Sequence, residues 1–315
     1  MESELVGKIL EGDIRASARL IRGIEDEVAD AFKELESVYL HTGRAYIVGI
    51  AGAPGAGKST LLGSLIGIFR RRSMKVGVVA VDPTSPFSGG ALLGDRVRMQ
   101  TYGTDKDVFI RSLATRGWKG GLAKATVNTV HVMDAMGKDI IFVEAVGSGQ
   151  GEVDIARVAD TSIVVLTPGM GDEIQMMKAG ILEAADIFVI NKADREGVDN
   201  LKTGLELMLK MRTGPPGGWQ PSIVLTQAIF DTGTGQLAEE ILRHKEFLNS
   251  GGGLAGRRRA RAELELLWAL ESSLMGYIDS LDKDYLTALV DDLVDRKTSP
   301  QVAAARIINL AKDPD

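Results

Sequence analysis

Apolar positions change their period along this chain. Over the first 44 residues Leu5, Ile9, Ile14, Leu20, Ile21, Ile24 and Val28 recur among charges at helical spacing. From residue 45 onward, strand patterns come as short apolar runs: Ala45–Ile50, Val76–Val81, Asp107–Arg111, Ile140–Val143, Ser162–Leu166, Ile187–Ile190 and Ile223–Leu225. Helical patterns separate them at Leu61–Phe69, Gly121–Met136, Gln175–Ala184, Leu201–Met211 and Leu237–Leu248. Strands that are apolar throughout suit burial on both faces, and their alternation with helices predicts an α/β fold with a mainly parallel sheet sandwiched by helices. Gly251-Gly252-Gly253 then reads as a linker, followed by a long helix over Arg257–Tyr277 and two shorter ones through Leu310. The pattern predicts an N-terminal helical extension (1–44), an α/β domain (45–250) and a C-terminal helical segment (251–315); such a tail packs on the domain or on a second copy, and the homodimer is the favoured reading.

Composition narrows the classes. The chain has 37 basic and 43 acidic residues and a net charge of −6, which offers no electrostatic argument for nucleic acid or an acidic membrane. The cluster Arg257, Arg258, Arg259 and Arg261 reads as a solvated helix face balanced by Glu263 and Glu265. No apolar run approaches the roughly 20 residues needed to span a bilayer, and Met1-Glu2-Ser3-Glu4 lacks the plan of a secretory signal. Zero cysteines exclude disulfides and thiolate metal sites. The expected compartment is the cytoplasm. His41, His131 and His244 are isolated and read as satisfied surface or core residues.

The most specific motif lies between the first predicted strand and the helix after it. Gly52-Ala53-Pro54-Gly55-Ala56-Gly57-Lys58-Ser59-Thr60 satisfies G-x-x-x-x-G-K-[ST] in full. Its glycines let backbone N–H groups and the positive end of the helix face the phosphates of a nucleoside triphosphate. Lys58 would reach the β/γ-phosphates, and the Ser59 hydroxyl would help hold Mg²⁺. A later strand ends in Asn191-Lys192-Ala193-Asp194, which is N-K-x-D. An Asp carboxylate there can accept two hydrogen bonds from guanine, whereas adenine would leave it desolvated and unpaired. Asn191 would brace the loop and the base, the Lys192 stem would cover the ring, and Thr226-Gln227-Ala228 would close the pocket from the other side. The nucleotide is read as GTP, with GDP as its product.

Three carboxylates are candidates for the acidic side of a Mg²⁺–phosphate site. Glu144-Ala145-Val146-Gly147 stands where common GTPases carry D-x-x-G, so Glu144 can hold the cation and the Gly147 N–H can sense the γ-phosphate. Asp82 ends a predicted strand, and Asp95 follows the Ser88–Gly94 loop. Gln150, a few residues past Gly147, is a candidate for positioning water.

Taken in order, these motifs resemble the MeaB/ArgK/MMAA group of P-loop GTPases, chaperones of adenosylcobalamin-dependent methylmalonyl-CoA mutase. The resemblance also rests on Val81–Pro86 with Gly89-Gly90, Leu93–Arg96, Phe109–Ser112, Ala114–Gly117 and Gly171–Gln175. It extends from about Gly12 into the C-terminal helices, departing modestly at Trp118-Lys119 and Thr226–Ala228. It implies a P-loop NTPase fold of the SIMIBI type and Mg-dependent hydrolysis of GTP to GDP and phosphate. Lys58, Asp82, Asp95 and Glu144 match the family's active-site residues, and Asn191, Lys192 and Asp194 its guanine reader. Glu144–Glu152 matches a second switch. Gly169 to about Lys178, including Asp172, Glu173 and Gln175, resembles a third through which the mutase is sensed. The implied partners are an adenosylcobalamin-dependent acyl-CoA mutase, foremost methylmalonyl-CoA mutase, and a cobalamin adenosyltransferase. Adenosylcobalamin itself would reside on the partner. A nickel-insertion GTPase, or a kinase acting on a transport protein or metabolite, is the alternative reading; nickel delivery is disfavoured by the lack of cysteine and the sparse histidine.

Overall fold

A computed structural model describes residues 3–82, 100–114, 121–144, 157–169, 185–211 and 217–312. Helices α1 (Glu4–Leu10), α2 (Ile14–Glu25) and α3 (Ala29–Tyr39) come first. Ser3 caps α1 by accepting from the Val6 N–H at 3.2 Å, and Asp13 caps α2 by accepting from the Ala16 N–H at 2.7 Å. The strands are β1 (Tyr46–Gly52), β2 (Val76–Asp82), β3 (Val108–Ala114), β4 (Ile140–Glu144), β5 (Thr161–Leu166), β6 (Ile187–Asn191) and β7 (Ser222–Thr226). Between them run α4 (Lys58–Arg71), α5 (Gly121–Ala135) and α6 (Val198–Met211); after them come α7 (Thr234–Ser250), α8 (Gly253–Ser280), α9 (Lys283–Val294) and α10 (Pro300–Lys312). The predicted Gln175–Ala184 helix lies outside the described residues.

Among the described residues all seven strands pair in parallel, in the order β3-β2-β4-β1-β5-β6-β7. Every residue of β1, β4, β5 and β6 is buried, as the unbroken apolar runs require of strands covered on both faces. Strand alternation divides the core. Val48, Ile50, Val78 and Phe142 pack with Leu61, Leu62 and Leu65 of α4 and with Leu237 and Ile241 of α7. Ile47, Val79, Val81 and Ile141 pack on the other face with α5 and with Val6, Ile9, Leu20 and Ile24 of the first two helices. The opening helices therefore share a core with the sheet. Farther along that face, Leu166, Phe188 and Ile190 meet Val198 and Leu205 of α6.

The chain divides into two compact units, Met1–Arg261 and Ala262–Asp315. The glycine run forms the turn between α7 and α8 within the first. The arginine cluster corrects the sequence reading, because three of its four members grip the sheet rather than face water. Arg257 pairs with Asp186 through Nη1 at 2.8 Å and Nη2 at 2.6 Å, and Arg261 reaches Asp160 at 3.2 Å. Arg258 donates to the carbonyls of Gly43 and Ala45 at 2.6 and 3.3 Å. Asp160 and Asp186 lie just before β5 and β6, at the edge opposite the nucleotide motifs, and there accept from the backbone N–H of Ile47 and Ser162. Those buried acids hold the guanidinium groups of Arg257 and Arg261 against the sheet. In the second unit many apolar side chains remain exposed, among them Leu266, Leu267, Leu270 and Val294, while Leu289 and Ala303 are buried.

Candidate functional site

Ligands in open parallel sheets bind beyond the carboxyl ends of the strands, where the strand order reverses. Here that point is β1: the chain first passes to β2 and β3 on one side and later to β5, β6 and β7 on the other. The glycine loop leaves β1 at this edge and enters α4 at Lys58. Gly52 packs backbone to backbone on β5, since a Cβ there would lie 2.4 Å from the Val165 carbonyl oxygen. Gly57 takes φ +93° as the N-cap of α4, and a Cβ on it would lie 2.3 Å from Asn191 Nδ2. Only glycine meets both demands without strain.

Lys58 and Ser59 are buried at the start of α4. Lys58 Nζ donates to the carbonyls of Gly52 at 2.7 Å and Ala53 at 3.1 Å, which holds the ammonium under its own loop. The Ser59 hydroxyl donates to Glu144 Oε1 at 2.8 Å, and Glu144 is only 4% exposed at the end of β4. The sheet register explains the meeting. Glu144 lies beside Ile50 of β1 and Ala80 of β2, so the glutamate, the loop root and the end of β2 share one edge. A hydroxyl and a carboxylate at this distance are a hard-oxygen pair of the kind that suits Mg²⁺. The backbone of Asp82 ends β2 at the same edge.

The guanine-reader motif reaches the loop through Asn191. Its Nδ2 donates to the Ala56 carbonyl at 2.8 Å, while its Oδ1 accepts from Thr226 Oγ1 and from the Ala228 N–H, each at 3.1 Å. The side chain thus ties Gly52–Thr60 to Thr226-Gln227-Ala228, bringing together three segments that are distant in sequence. Lys192 adopts φ +56°, a left-handed conformation uncommon for a lysine, and donates from Nζ to the Gly55 carbonyl at 2.8 Å. Asp194 lies exposed in the following turn. Gln227 and Thr232 exchange backbone hydrogen bonds of 3.0 and 3.3 Å, closing Gln227–Thr232 into a compact turn beside Asn191. Sequence reasoning missed that closure and the link from the Ser64 hydroxyl to Asp231. The Thr232-Gly233-Thr234-Gly235 repeat was the available signal for a tight turn there. Pro54 and Thr60 complete the loop at the same edge, whereas Asp95, Gly147, Gln150, Asp172, Glu173, Gln175 and Lys178 lie outside the described residues.

A buried polar cluster occupies the opposite edge. Thr161 Oγ1 bonds both Tyr46 Oη at 2.5 Å and His244 Nδ1 at 2.8 Å, and His244 Nε2 lies 3.5 Å from Asp186. Burial pushes the His244 imidazole down to about 4, outweighing the pull of Asp186. His244 is therefore a neutral core residue, as its isolation in sequence suggested. Among the described residues no three His, Cys, Asp or Glu side chains converge as a metal site, and no helix is long and apolar enough to cross a membrane.

A glycine loop on the central strand of a parallel sheet, tied by an asparagine to an N-K-x-D strand end, defines a P-loop GTPase. The chain belongs to the MeaB family, described as methylmalonyl-CoA mutase-associated GTPases, whose model matches residues 17–280. A protein of Pyrococcus abyssi named as a GTPase is 47% identical over 311 residues, covering 98% of this chain and 96% of that one. The mitochondrial methylmalonic aciduria type A homolog of Mus musculus is 32% identical over 226 residues, 71% of this chain and 54% of the relative. The crystal structure of an LAO/AO transport system kinase superposes with a TM-score of 0.70 at 23% identity, covering 98% of this chain and 97% of that one. At that identity the likeness is one of fold.

Proposed function

We propose that this GTPase serves an adenosylcobalamin-dependent acyl-CoA mutase, with methylmalonyl-CoA mutase first among the candidates, and gates the loading, protection and reactivation of its cofactor. The observation that carries this reading is the match to the mutase-associated family over residues 17–280. Adenosylcobalamin belongs on the partner in this scheme, and a cobalamin adenosyltransferase is a further partner.

Lys58 would leave the Gly52 and Ala53 carbonyls far enough to meet the β/γ-phosphates. Ser59 and Glu144, already 2.8 Å apart, would hold Mg²⁺ with Asp82 and Asp95 on its acidic side. The cation would neutralise charge developing on the transferred phosphoryl group while water attacks in line. Asn191 would set the distance between phosphate loop and base loop, with Asp194 accepting from the guanine edge and the Lys192 stem lying across the ring. Gly147 and Gln150 would report the γ-phosphate, and Asp172, Glu173, Gln175 and Lys178 would carry that state to the mutase. The exposed apolar residues Leu266, Leu270 and Leu274 recur at helical spacing in the second unit and support a homodimer made through that segment.

GTP turnover measured with and without the mutase, for the wild-type chain and Lys58→Ala, tests the reading. Stimulation by the mutase that Lys58→Ala abolishes is the expected result. Turnover indifferent to every adenosylcobalamin-dependent mutase would refute the partnership while leaving the nucleotide site in place.

A further inference from the structure

Among the described residues three hydroxyls are buried without a hydrogen-bond partner: those of Thr126, Thr167 and Ser222. Thr126 lies within α5, and Ser222 begins β7 at the sheet edge remote from the glycine loop. Thr167 differs in place. It is 1% exposed and immediately follows β5, at the carboxyl edge where the nucleotide motifs gather.

The register fixes its neighbours. Gly52 pairs with Val165, and the β5–β6 ladder runs through Val165↔Val189 to its last pair, Leu166↔Ile190, so Thr167 and Asn191 are the residues that follow that pair on the two chains. Val165 and Val189 share the core face covered by Leu61, Leu62 and Leu65 of α4, and alternation returns Thr167 and Asn191 to that same face. Asn191 confirms the direction, since its amide reaches Ala56 in the glycine loop. Thr167 thus stands between the root of the phosphate loop and the asparagine that ties it to the base loop. Just beyond it, Gly169 takes φ +82°, and Pro168 packs 3.7 Å from where a Gly197 Cβ would lie. A hydroxyl sealed from water with no partner is costly, and valine would fill the same space without that cost.

We propose that Thr167 is a positioning residue of the nucleotide site. Its hydroxyl makes a hydrogen bond that the bound guanine nucleotide completes, by ordering the phosphate loop and the Asn191 amide around it. This rests on the reading of the edge as a GTP site.

The test uses the full-length chain as wild type, Thr167→Val and Thr167→Ser, with GTP and GDP dissociation constants and urea unfolding in the absence of nucleotide. Thr167→Val is expected to weaken nucleotide binding about fivefold, the worth of one hydrogen bond. Its unliganded stability should be unchanged or higher, and Thr167→Ser should bind within about threefold of wild type because it keeps the hydroxyl. If the valine chain does not fold, Thr167→Ala against Thr167→Ser isolates the hydroxyl in the same way. Binding by Thr167→Val equal to wild type would overturn the proposal, as would an equal loss in Thr167→Ser, which would assign the effect to the methyl group. A wild-type chain that binds neither nucleotide would overturn the site reading itself, a result distinct from both.

Discussion

Replacing Asn191 by alanine removes the side chain that ties the phosphate loop to Thr226-Gln227-Ala228. Three hydrogen bonds go with it: to the Ala56 carbonyl, from the Thr226 hydroxyl and from the Ala228 N–H. At about 1 kcal/mol net for each, the loss is about 3 kcal/mol. The true cost lies toward the upper side of that figure, because Ala56, Thr226 and Ala228 are all buried and keep polar groups that water does not reach. Asn191 and Thr226 end paired strands, while Ala56 and Ala228 lie in the loops those strands hold, so the cost is divided between folding stability and nucleotide affinity, with its full size as the upper bound on affinity. A loss of about 3 kcal/mol is about two decades in Kd. Thr226→Val removes a single one of the three bonds and should cost about 1 kcal/mol, or about fivefold. Titration of GDP by calorimetry, with urea midpoints measured alongside, reads both effects. Asn191→Ala binding GDP within threefold of wild type would refute the argument. So would Thr226→Val losing as much as Asn191→Ala, since the graded series follows from the bond count.

Gly57→Ala should fold but lose nucleotide binding, because its Cβ would lie 2.3 Å from Asn191 Nδ2 on a residue held at φ +93°; retained GTP binding in a calorimeter would count against it. Asp194→Asn should weaken GTP by at least about tenfold and favour xanthosine triphosphate, whose 2-oxo group matches the amide donor where guanine offers an amine; competition binding with the two nucleotides checks this. His244 has a folded-state value of about 4 against 6.5 unfolded, so the unfolded chain binds more protons between those values. The stability of the neutral imidazole is complete above about pH 6.5 and fades as pH falls, by about 2 kcal/mol between about pH 7 and about pH 5. His244→Gln should remove that slope from the urea midpoints, while the Asp160 carboxyl, raised by burial, is common to both chains and cancels. Arg261→Ala leaves Asp160 fully buried without its guanidinium and should destabilise the chain by about 3 kcal/mol in the same assay.

Much of the nucleotide edge was legible because its chemistry is local. A glycine loop needs only its own residues to present N–H groups to an anion, and an apolar run flanked by helices declares a buried parallel strand. The N-K-x-D and E-x-x-G motifs mark strand ends in the same way. Asn191 as a brace followed from its motif, although its partners Ala56, Thr226 and Ala228 come from three separate parts of the chain. The arginine cluster misled for a complementary reason. Asp160 and Asp186 are far from the cluster in sequence but close in space, and a buried carboxylate binds a guanidinium far more strongly than a solvated one does.

By itself the sequence determined the elements, the parallel sheet and the nucleotide motifs, since periodicity and short-range motif chemistry depend on neighbours along the chain. Strand order was decided only in the tertiary structure. Placing β4 and β5 on either side of β1 sets Glu144 against Ser59 and brings the end of β5 to the root of the glycine loop. It also packs the first helices into the sheet's core instead of leaving them as an appendage. Such contacts join residues far apart along the chain, and no local pattern records them, because they form only when the whole apolar surface is buried at once.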